Sequence, residues 1–194
     1  ATLTAGTLAT GDYLVNTVTG TITNAGTEVN TLADVKVMHP AAEEGGEPID
    51  VTANYTITKQ NGELKVNPVT IVLTADSDEK VYDGTPLTKD SYKITTGAFV
   101  GEEGLASVTV EGSQTMVGSS DNTITGHTLK DGTLAQNYNI SYAKGTLTVK
   151  QADLAITVKA DDASKTYDGT PLTKDSATLT AGTLATGDYL VNTV

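Results

Sequence analysis

The stretch Tyr-Asp-Gly-Thr-Pro-Leu-Thr-Lys-Asp-Ser occurs twice in this chain, at residues 82–91 and again at residues 167–176. A second and longer repetition is the segment 1–18, which recurs without a change as residues 177–194. Self-similarity at a fixed spacing is typical of proteins built from repeated structural units. The two repetitions therefore predict an array of related domains, and we expect the chain to be a piece of a longer protein.

The composition favours folded β-domains. Hydrophobic residues make up 38% of the 194 residues, which is sufficient for packed cores and too much for intrinsic disorder. Thr and Val are abundant and suit the pleated, half-buried surface of a sheet, whereas Trp is absent. No apolar run is long enough to span a membrane, so membrane insertion is not expected.

The charge and the missing cysteines exclude further classes of function. A formal net charge of −12 repels phosphate backbones, so nucleic acid is not an expected partner. Because the chain has no Cys, disulfides and thiolate metal sites cannot form.

The repeats divide the chain into three predicted domains. Residues 69–151 contain about seven β-rich segments separated by turn residues, the pattern of a complete β-sandwich. Residues 1–68 match this domain without its opening strands, and residues 152–194 match only its opening half. The fold class predicted is therefore all-β, with tandem β-sandwich repeats stacked end to end.

Individual segments of the repeats predict particular elements. Residues 55–59 and 63–66 flank an Asn-Gly turn signal and predict a hairpin, which 138–142 and 146–149 repeat. The first strands of the later domains are predicted at 69–74 and 154–159, with Leu154, Ile156 and Val158 on one face. The insertion 39–48, rich in Pro, Gly and Glu, predicts an exposed loop.

The hydrophobic pattern of the middle domain predicts its core. Alternating apolar residues on each predicted strand should face inward. The candidate core residues are Ile71, Leu73, Tyr82, Leu87, Ile94, Phe99, Val108, Val110, Ile124, Tyr138, Ile140, Leu147 and Val149.

The Tyr-Asp-Gly-Thr-Pro stretch predicts a structural turn. Tyr should anchor in the core, Asp should cap the turn, Gly should adopt positive φ, and Pro should set the exit direction. The functional alternative is a ligand contact by the tyrosine. The residues concerned are Tyr82, Asp83, Gly84 and Pro86 in one copy, and Tyr167, Asp168, Gly169 and Pro171 in the other.

Calcium is the one inorganic cofactor for which the sequence offers ligands. Carboxylates cluster near the predicted domain junctions, and Ca²⁺ prefers oxygen ligands, although the spacing of an EF-hand is absent. The alternative is a solvated acidic strand edge that discourages aggregation. The candidate ligands are Asp76, Asp78, Asp83, Asp161, Asp162 and Asp168.

The residue inventory argues against an enzyme. The two histidines, His39 and His127, fall in different predicted domains, and neither has a counterpart in the neighbouring repeat. A Ser-His-Asp or His-based metal site needs partners gathered around one histidine. The glycines lie at turn positions and form no phosphate-binding motif.

Four segments resemble a known family: Lys-Val-Tyr-Asp-Gly-Thr-Pro-Leu-Thr at 80–88, the run 108–118, Asn-Tyr-Asn-Ile at 137–140 and Gly-Thr-Leu-Thr-Val at 145–149. Together they are similar to the YDG/MBG-type repeats of bacterial cell-surface proteins. The resemblance implies an extracellular Ig-like β-sandwich repeat of an adhesin or wall-anchored protein of Firmicutes-like bacteria, with no catalytic residues. The alternative fold is a β-grasp module, as in some mucin-binding repeats.

The function expected is that of a stalk or spacer repeat of a surface adhesin or surface fibre. Neighbouring repeats of the same protein are then the main partners. Residues 152–194 carry the opening strands that 1–68 lacks, so strand complementation could join molecules head to tail into filaments. The alternative to complementation is fraying of both end segments. The alternative function is a carbohydrate- or mucin-binding module that meets a host glycan or protein through the 39–48 loop or its tyrosines.

Overall fold

The computed structural model describes residues 1–153 and 155–191. It divides into two compact units, one formed by Ala1–Val69 with Leu134–Asn139 and the other by Thr70–Thr133 with Ile140–Val194. Within the described residues the secondary structure is strand, apart from two 3₁₀ turns of three residues each, Thr52–Asn54 and Ala135–Asn137. The prediction of an all-β fold is confirmed. No helix in this part of the chain is long and apolar enough to cross a membrane.

Both turns and longer loops connect the described strands. In order they are β1 (Tyr13–Thr19), β2 (Gly26–His39), β3 (Ile49–Asp50), β4 (Gly62–Val66), β5 (Val69–Ala75), β6 (Asp78–Val81), β7 (Tyr92–Thr96), β8 (Leu105–Glu111), β9 (Gly118–Leu129), β10 (Tyr138–Ala143), β11 (Gly145–Lys150), β12 (Thr157–Ala160) and β13 (Ala177–Ala181).

The first unit is organised around the long strand β2. Its second half pairs antiparallel with β1, with Leu14 opposite Val37, and its end pairs with β3. Its first half pairs antiparallel with β4, and this ladder sets Asn30 opposite Gly62. The segment 40–48 is exposed apart from a half-buried Ala41, so the prediction of an exposed loop there is confirmed.

The second unit contains three described sheets. One has the order β10-β5-β7, and another has the order β6-β11-β9-β8, in which β6 pairs parallel with β11. The third is the antiparallel pair of β12 and β13. Of the strand predicted at 154–159, Leu154 lies outside the described residues, and the strand observed begins at Thr157.

The core of the second unit lies on β5 and β11. Ile71, Leu73 and Leu147 are completely buried, and Val149 is nearly so. The predicted core positions confirmed as buried are Ile71, Leu73, Leu87, Ile124, Tyr138, Leu147 and Val149. Those only half-buried are Tyr82, Phe99, Val108, Val110 and Ile140.

Two predictions about the core and the strands are wrong. Ile94 is 42% exposed rather than buried, because it lies on β7, the edge strand of its sheet. The predicted hairpins do not form either. β10 and β11 belong to different sheets, and residues 55–60, the counterpart of β10, form no strand. The Asn-Gly pair at 61–62 does not form a hairpin turn, because β4, which follows it, pairs with the distant strand β2.

Candidate functional site

The first Tyr-Asp-Gly turn is held together by Lys80 and Asp83. The Lys80 Nζ donates to Asp83 Oδ1 at 2.7 Å and to the carbonyl of Thr85 at 2.6 Å. Asp83 Oδ1 also accepts from the backbone N–H of Thr85 at 2.9 Å and thus caps the turn. Gly84 has a φ of 81°, a conformation that disfavours any side chain, and Pro86 is exposed.

The second copy builds the same turn. The Lys165 Nζ donates to Asp168 Oδ1 at 2.7 Å, and the Thr170 N–H donates to the same oxygen at 2.9 Å. Gly169 has a φ of 78°, and the exposed Pro171 accepts from Lys165 through its carbonyl. The contacts that both copies share, in two different settings, show that local interactions decide the turn.

The two tyrosines have different surroundings. Tyr82 is half-buried and packs against the cluster of Leu87, Leu147 and Val149. Tyr167 is 93% exposed. Leu172, the counterpart of Leu87, is 49% exposed, so a comparable cluster does not surround Tyr167 in the described residues. Burial of the tyrosine therefore depends on which residues from elsewhere in the chain pack around the turn.

The second copy of the 18-residue segment contacts the first Tyr-Asp-Gly turn. The Tyr82 hydroxyl donates to Asp188 Oδ1 at 2.9 Å, and the Thr186 N–H donates to the carbonyl of Asp83 at 3.3 Å. A Cβ atom added to Gly84 would lie 2.0 Å from the Thr186 carbonyl oxygen. The hydrogen bond to Asp188 raises the pKa of Tyr82.

Asp12, the counterpart of Asp188, lies in a polar cluster of the first unit. Its carboxylate accepts from the Tyr55 hydroxyl and lies 2.5 Å from His39 Nδ1. The Tyr55 oxygen also accepts from the N–H of Ala9 at 2.9 Å. These contacts, the Tyr55 hydrogen bond first, lower the pKa of Asp12, and the same bond raises the pKa of Tyr55.

The repeated 18-residue segment adopts two different structures. In its first copy Tyr13–Thr19 forms β1, whereas residues 1–5 form no strand. In its second copy Ala177–Ala181 forms β13, whereas residues 189–191 form no strand. Because the sequences are identical, the difference follows from which partner strand is present: β2 for the first copy and β12 for the second.

Most of the predicted calcium ligands already have a cationic partner. Five of the six carboxylates form ion pairs with lysine, at nitrogen–oxygen distances between 2.6 and 3.2 Å: Asp76 with Lys93, Asp78 with Lys89, Asp83 with Lys80, Asp162 with Lys159 and Asp168 with Lys165. The sixth, Asp161, accepts from the hydroxyls of Ser176 and Thr178. Over residues 1–153 and 155–191, no three metal-ligating side chains lie close enough to hold an ion together.

These contacts lower the pKa values of several of the carboxyl groups. The Lys165 ammonium, followed by Thr170, lowers the pKa of Asp168 to about 2. Lys80 and the N–H of Thr85 lower the pKa of Asp83 well below its ordinary value. The Ser176 hydroxyl lowers the pKa of Asp161, and the Ser91 hydroxyl does the same for Asp76. The N–H of Glu79, ahead of Lys89, lowers the pKa of Asp78.

Sequence reasoning missed two polar groups. It assigned His39 to the exposed loop 39–48, whereas His39 ends β2 beside Asp12. It also missed Asn122, which is completely buried on β9. The match of Asn30 with Asn122 was visible in the repeats and could have marked this amide as structural.

The histidines do not form a catalytic arrangement in the described structure. His39 contacts Asp12, but no hydroxyl or thiol nucleophile hydrogen-bonds to its ring in the described residues. His127 Nδ1 lies 2.5 Å from the Tyr142 hydroxyl, and the two rings meet edge to face at 5.8 Å. His39 thus links the end of β2 to the residue before β1, and His127 links β9 to β10.

Comparisons of the chain with protein-family models, curated proteins and solved structures found no match.

Proposed function

We propose that the chain is a structural spacer: part of a stalk made of Ig-like β-sandwich repeats in a bacterial surface adhesin or surface fibre. The observation that carries this proposal is the exact recurrence of residues 1–18 at 177–194. Arrays of repeated domains lengthen by whole units and provide reach, with roughly 30–40 Å for each domain of eight-residue strands. The repeat boundaries proposed remain 1–68, 69–151 and 152–194.

The contacts within the second unit support a β-sandwich rather than a β-grasp module. The sheets β10-β5-β7 and β6-β11-β9-β8 together hold seven strands, and the fully buried residues come from both. The side chain of Asn122, on one sheet, donates to the carbonyl of Asp76, next to β5 of the other. Two sheets joined by a common core are the architecture of a sandwich.

The polar contacts support a structural role. The lysine, aspartate and threonine of each Tyr-Asp-Gly turn bind one another. The Asp12 carboxylate is likewise occupied by Tyr55 and His39, and only 8% of the Asp12 side chain is exposed. Groups already satisfied inside the fold are poorly placed to bind a substrate, so we propose that the protein is not an enzyme.

Cell-surface labelling tests the spacer role. Antibodies raised against the chain should label intact cells of the source bacterium, and external protease should remove the label. Labelling that appears only after cell lysis would contradict an extracellular location. In small-angle scattering, repeats joined in tandem should add a constant length for each repeat, and a compact particle would contradict a stalk.

Glycan binding is the second candidate function, and exposed tyrosines favour it. Tyr167 is 93% exposed and Tyr189 is 80% exposed, and sugars stack on such rings. A glycan array on the whole chain tests it. Reproducible binding that Tyr167→Ala or Tyr189→Ala abolishes would support the carbohydrate- or mucin-binding module, and binding that survives both changes would not.

A further inference from the structure

Two parallel strands connect the two ends of the middle repeat, residues 69–151. β6 lies near the start of this repeat, and β11 is its last strand. The two strands pair over four residues each, and Leu147 lies opposite Asp78 where the ladder begins. At the other end of the ladder Lys150 lies opposite Val81. Because both strands run in the same direction, a pull on the chain before β6 and a pull on the chain after β11 act at opposite ends of one ladder.

Further contacts extend the β6–β11 ladder at both ends. The Thr146 N–H donates to Ser77 Oγ at 2.9 Å. The Tyr82 N–H donates to the carbonyl of Lys150 at 2.8 Å. The Lys150 Nζ also lies 2.6 Å from a carboxylate oxygen of Glu79. Sliding β6 along β11 therefore requires these contacts to break together with the ladder.

One face of the ladder is shielded from water. Leu147 is completely buried, and Val149 is 1% exposed. Leu87 is buried with them, and Tyr82 packs against this cluster. Hydrogen bonds are stronger in surroundings of low dielectric constant than they are in water. At its other edge β11 pairs antiparallel with β9, so β11 is held within a larger sheet.

A buried amide holds the connection between β5 and β6. Asn122 on β9 is completely buried, and its side-chain nitrogen donates to the carbonyl oxygens of Asp76 and Lys89, both at 2.8 Å. Asp76 lies between the two strands, and β9 is the neighbour of β11 in the sheet. A pull that detaches β5 therefore acts next on the Asn122 amide and on the β6–β11 ladder.

We propose that the β6–β11 pair bears tension, and that resistance to pulling is a further function of the middle repeat. Tension along the chain loads every hydrogen bond of the ladder at once, because the two strands must slide past each other in opposite directions. Strands that are pulled apart at adjacent ends separate one bond at a time instead. This inference rests on the proposed spacer function, because a stalk transmits tension between its two ends.

Single-molecule force spectroscopy of the full chain tests the proposal through the direction of loading. Because the sequence has no cysteine, a pair of introduced cysteines provides the only two attachment points. Asn67→Cys with Gln151→Cys, both at exposed positions, pulls the opposite ends of the ladder and loads it in shear. Pro86→Cys with Gln151→Cys, also at exposed positions, pulls β6 and β11 at their adjacent C-terminal ends and opens the ladder from one side.

The two directions of loading should give different unfolding forces. Forced unfolding is governed by the unfolding rate, so at equal loading rate the force in shear should be at least about twice the force in the opening direction. Each unfolding event is identified by its gain in length, roughly 3.3–3.6 Å for each residue released. Equal forces in the two directions would overturn the proposal, and this comparison needs no substitution within the ladder.

A proline substitution identifies the bonds that carry the load. The N–H groups of a strand alternate between its two edges, and the Tyr82 N–H faces β11. The Lys80 N–H therefore also faces β11, whereas the Val81 N–H faces away. The Glu79 N–H faces away as well, and it donates to Asp78 Oδ1. Lys80→Pro should lower the shear unfolding force towards the value measured in the opening direction, because proline has no N–H to donate.

Two control variants separate the backbone bond from the rest of the residue. Val81→Pro places the same ring where no ladder bond is lost. Lys80→Met keeps the N–H but removes the ion pair with Asp83. Both controls should unfold at close to the wild-type shear force, and circular dichroism checks that each variant is folded. A shear force that falls as far in Val81→Pro as in Lys80→Pro would contradict the assignment of the load to these bonds.

The outcomes separate this inference from the spacer function. A higher force in shear together with failed surface labelling would refute the spacer role, while the load-bearing pair stands. Surface labelling together with equal forces in the two directions would refute the load-bearing pair alone.

Discussion

Asp12 and Asp188 occupy the same position of the duplicated 18-residue segment, and each accepts a hydrogen bond from a tyrosine hydroxyl. The donors differ: Tyr55 lies at the counterpart of Tyr138, whereas Tyr82 belongs to a Tyr-Asp-Gly turn. The aspartate at this position of the segment therefore binds a different tyrosine in each copy, depending on which strands surround it.

The tyrosine contacts predict a dependence on alkaline pH. Asp12 raises the pKa of Tyr55, and Asp188 raises the pKa of Tyr82, above the ordinary value of 10.0. A raised pKa in the folded state contributes stability that is complete below pH 10.0 and is lost as the pH rises through the folded-state value. We expect a late-titrating fraction in the tyrosinate absorbance, reduced by Tyr55→Phe, by Tyr82→Phe and by Asp188→Asn. An unchanged titration in all three variants would contradict these contacts.

The turn carboxylates predict the opposite dependence on acidic pH. The pKa of Asp168 falls from 3.8 to about 2 because Lys165 donates to it. A lowered pKa contributes stability that is present above pH 3.8 and is lost as the pH falls towards 2. In an NMR titration of the carboxyl carbons, Asp168 should become protonated at a lower pH than an ordinary aspartate. Lys165→Met should raise the pKa of Asp168. If Lys165→Met leaves the titration of Asp168 unchanged, the ion pair does not form in solution.

The matched leucines predict unequal costs of truncation. Leu147 is completely buried, so Leu147→Ala should lower the free energy of unfolding by about 2–5 kcal/mol. The same substitution at its half-buried counterpart, Leu64→Ala, should lower the free energy of unfolding by roughly half as much, because Leu64 buries less apolar area. Urea unfolding followed by circular dichroism at low protein concentration measures both. Equal decreases in the free energy of unfolding would show that Leu64 is as deeply buried as Leu147 in solution.

The matched glycines predict a second inequality. Gly84 and Gly169 both have positive φ, so alanine should cost about 1–2 kcal/mol at either position. At Gly84 the added Cβ also collides with the Thr186 carbonyl, whereas a Cβ added at Gly169 would meet no other described residue within 4 Å, apart from its chain neighbours. Gly84→Ala alone should therefore accelerate hydrogen exchange at the Thr186 N–H. Faster exchange in both variants, or in neither, would contradict the contact.

Much of the secondary structure could be predicted from the sequence. Alternation of apolar residues predicted β5 and most of the core, because period-two patterns identify half-buried strands. Pairing partners could not be predicted in this way. The Asn-Gly signal suggested a hairpin at 61–62, but β4 pairs with the distant β2, and propensity contains no information about long-range register.

In the candidate site, too, local contacts could be predicted from the sequence and long-range contacts could not. The turn residues Asp83, Gly84 and their second copies were predicted in place because their contacts span only a few residues. The Asp12 cluster was not predicted, since its members lie 27 and 43 residues apart along the chain. No local pattern reports such a contact.

The sequence by itself determined the all-β fold and the Tyr-Asp-Gly turn, whose lysine, aspartate and glycine adopt one geometry in both copies. Only the tertiary structure decided which part of the duplicated segment forms a strand and which tyrosine is buried. Tyr82 packs against Leu147 and Val149, whereas Tyr167 is exposed. The physical reason is that a turn satisfies its own hydrogen bonds locally, whereas a strand and a buried side chain need partners from elsewhere in the chain.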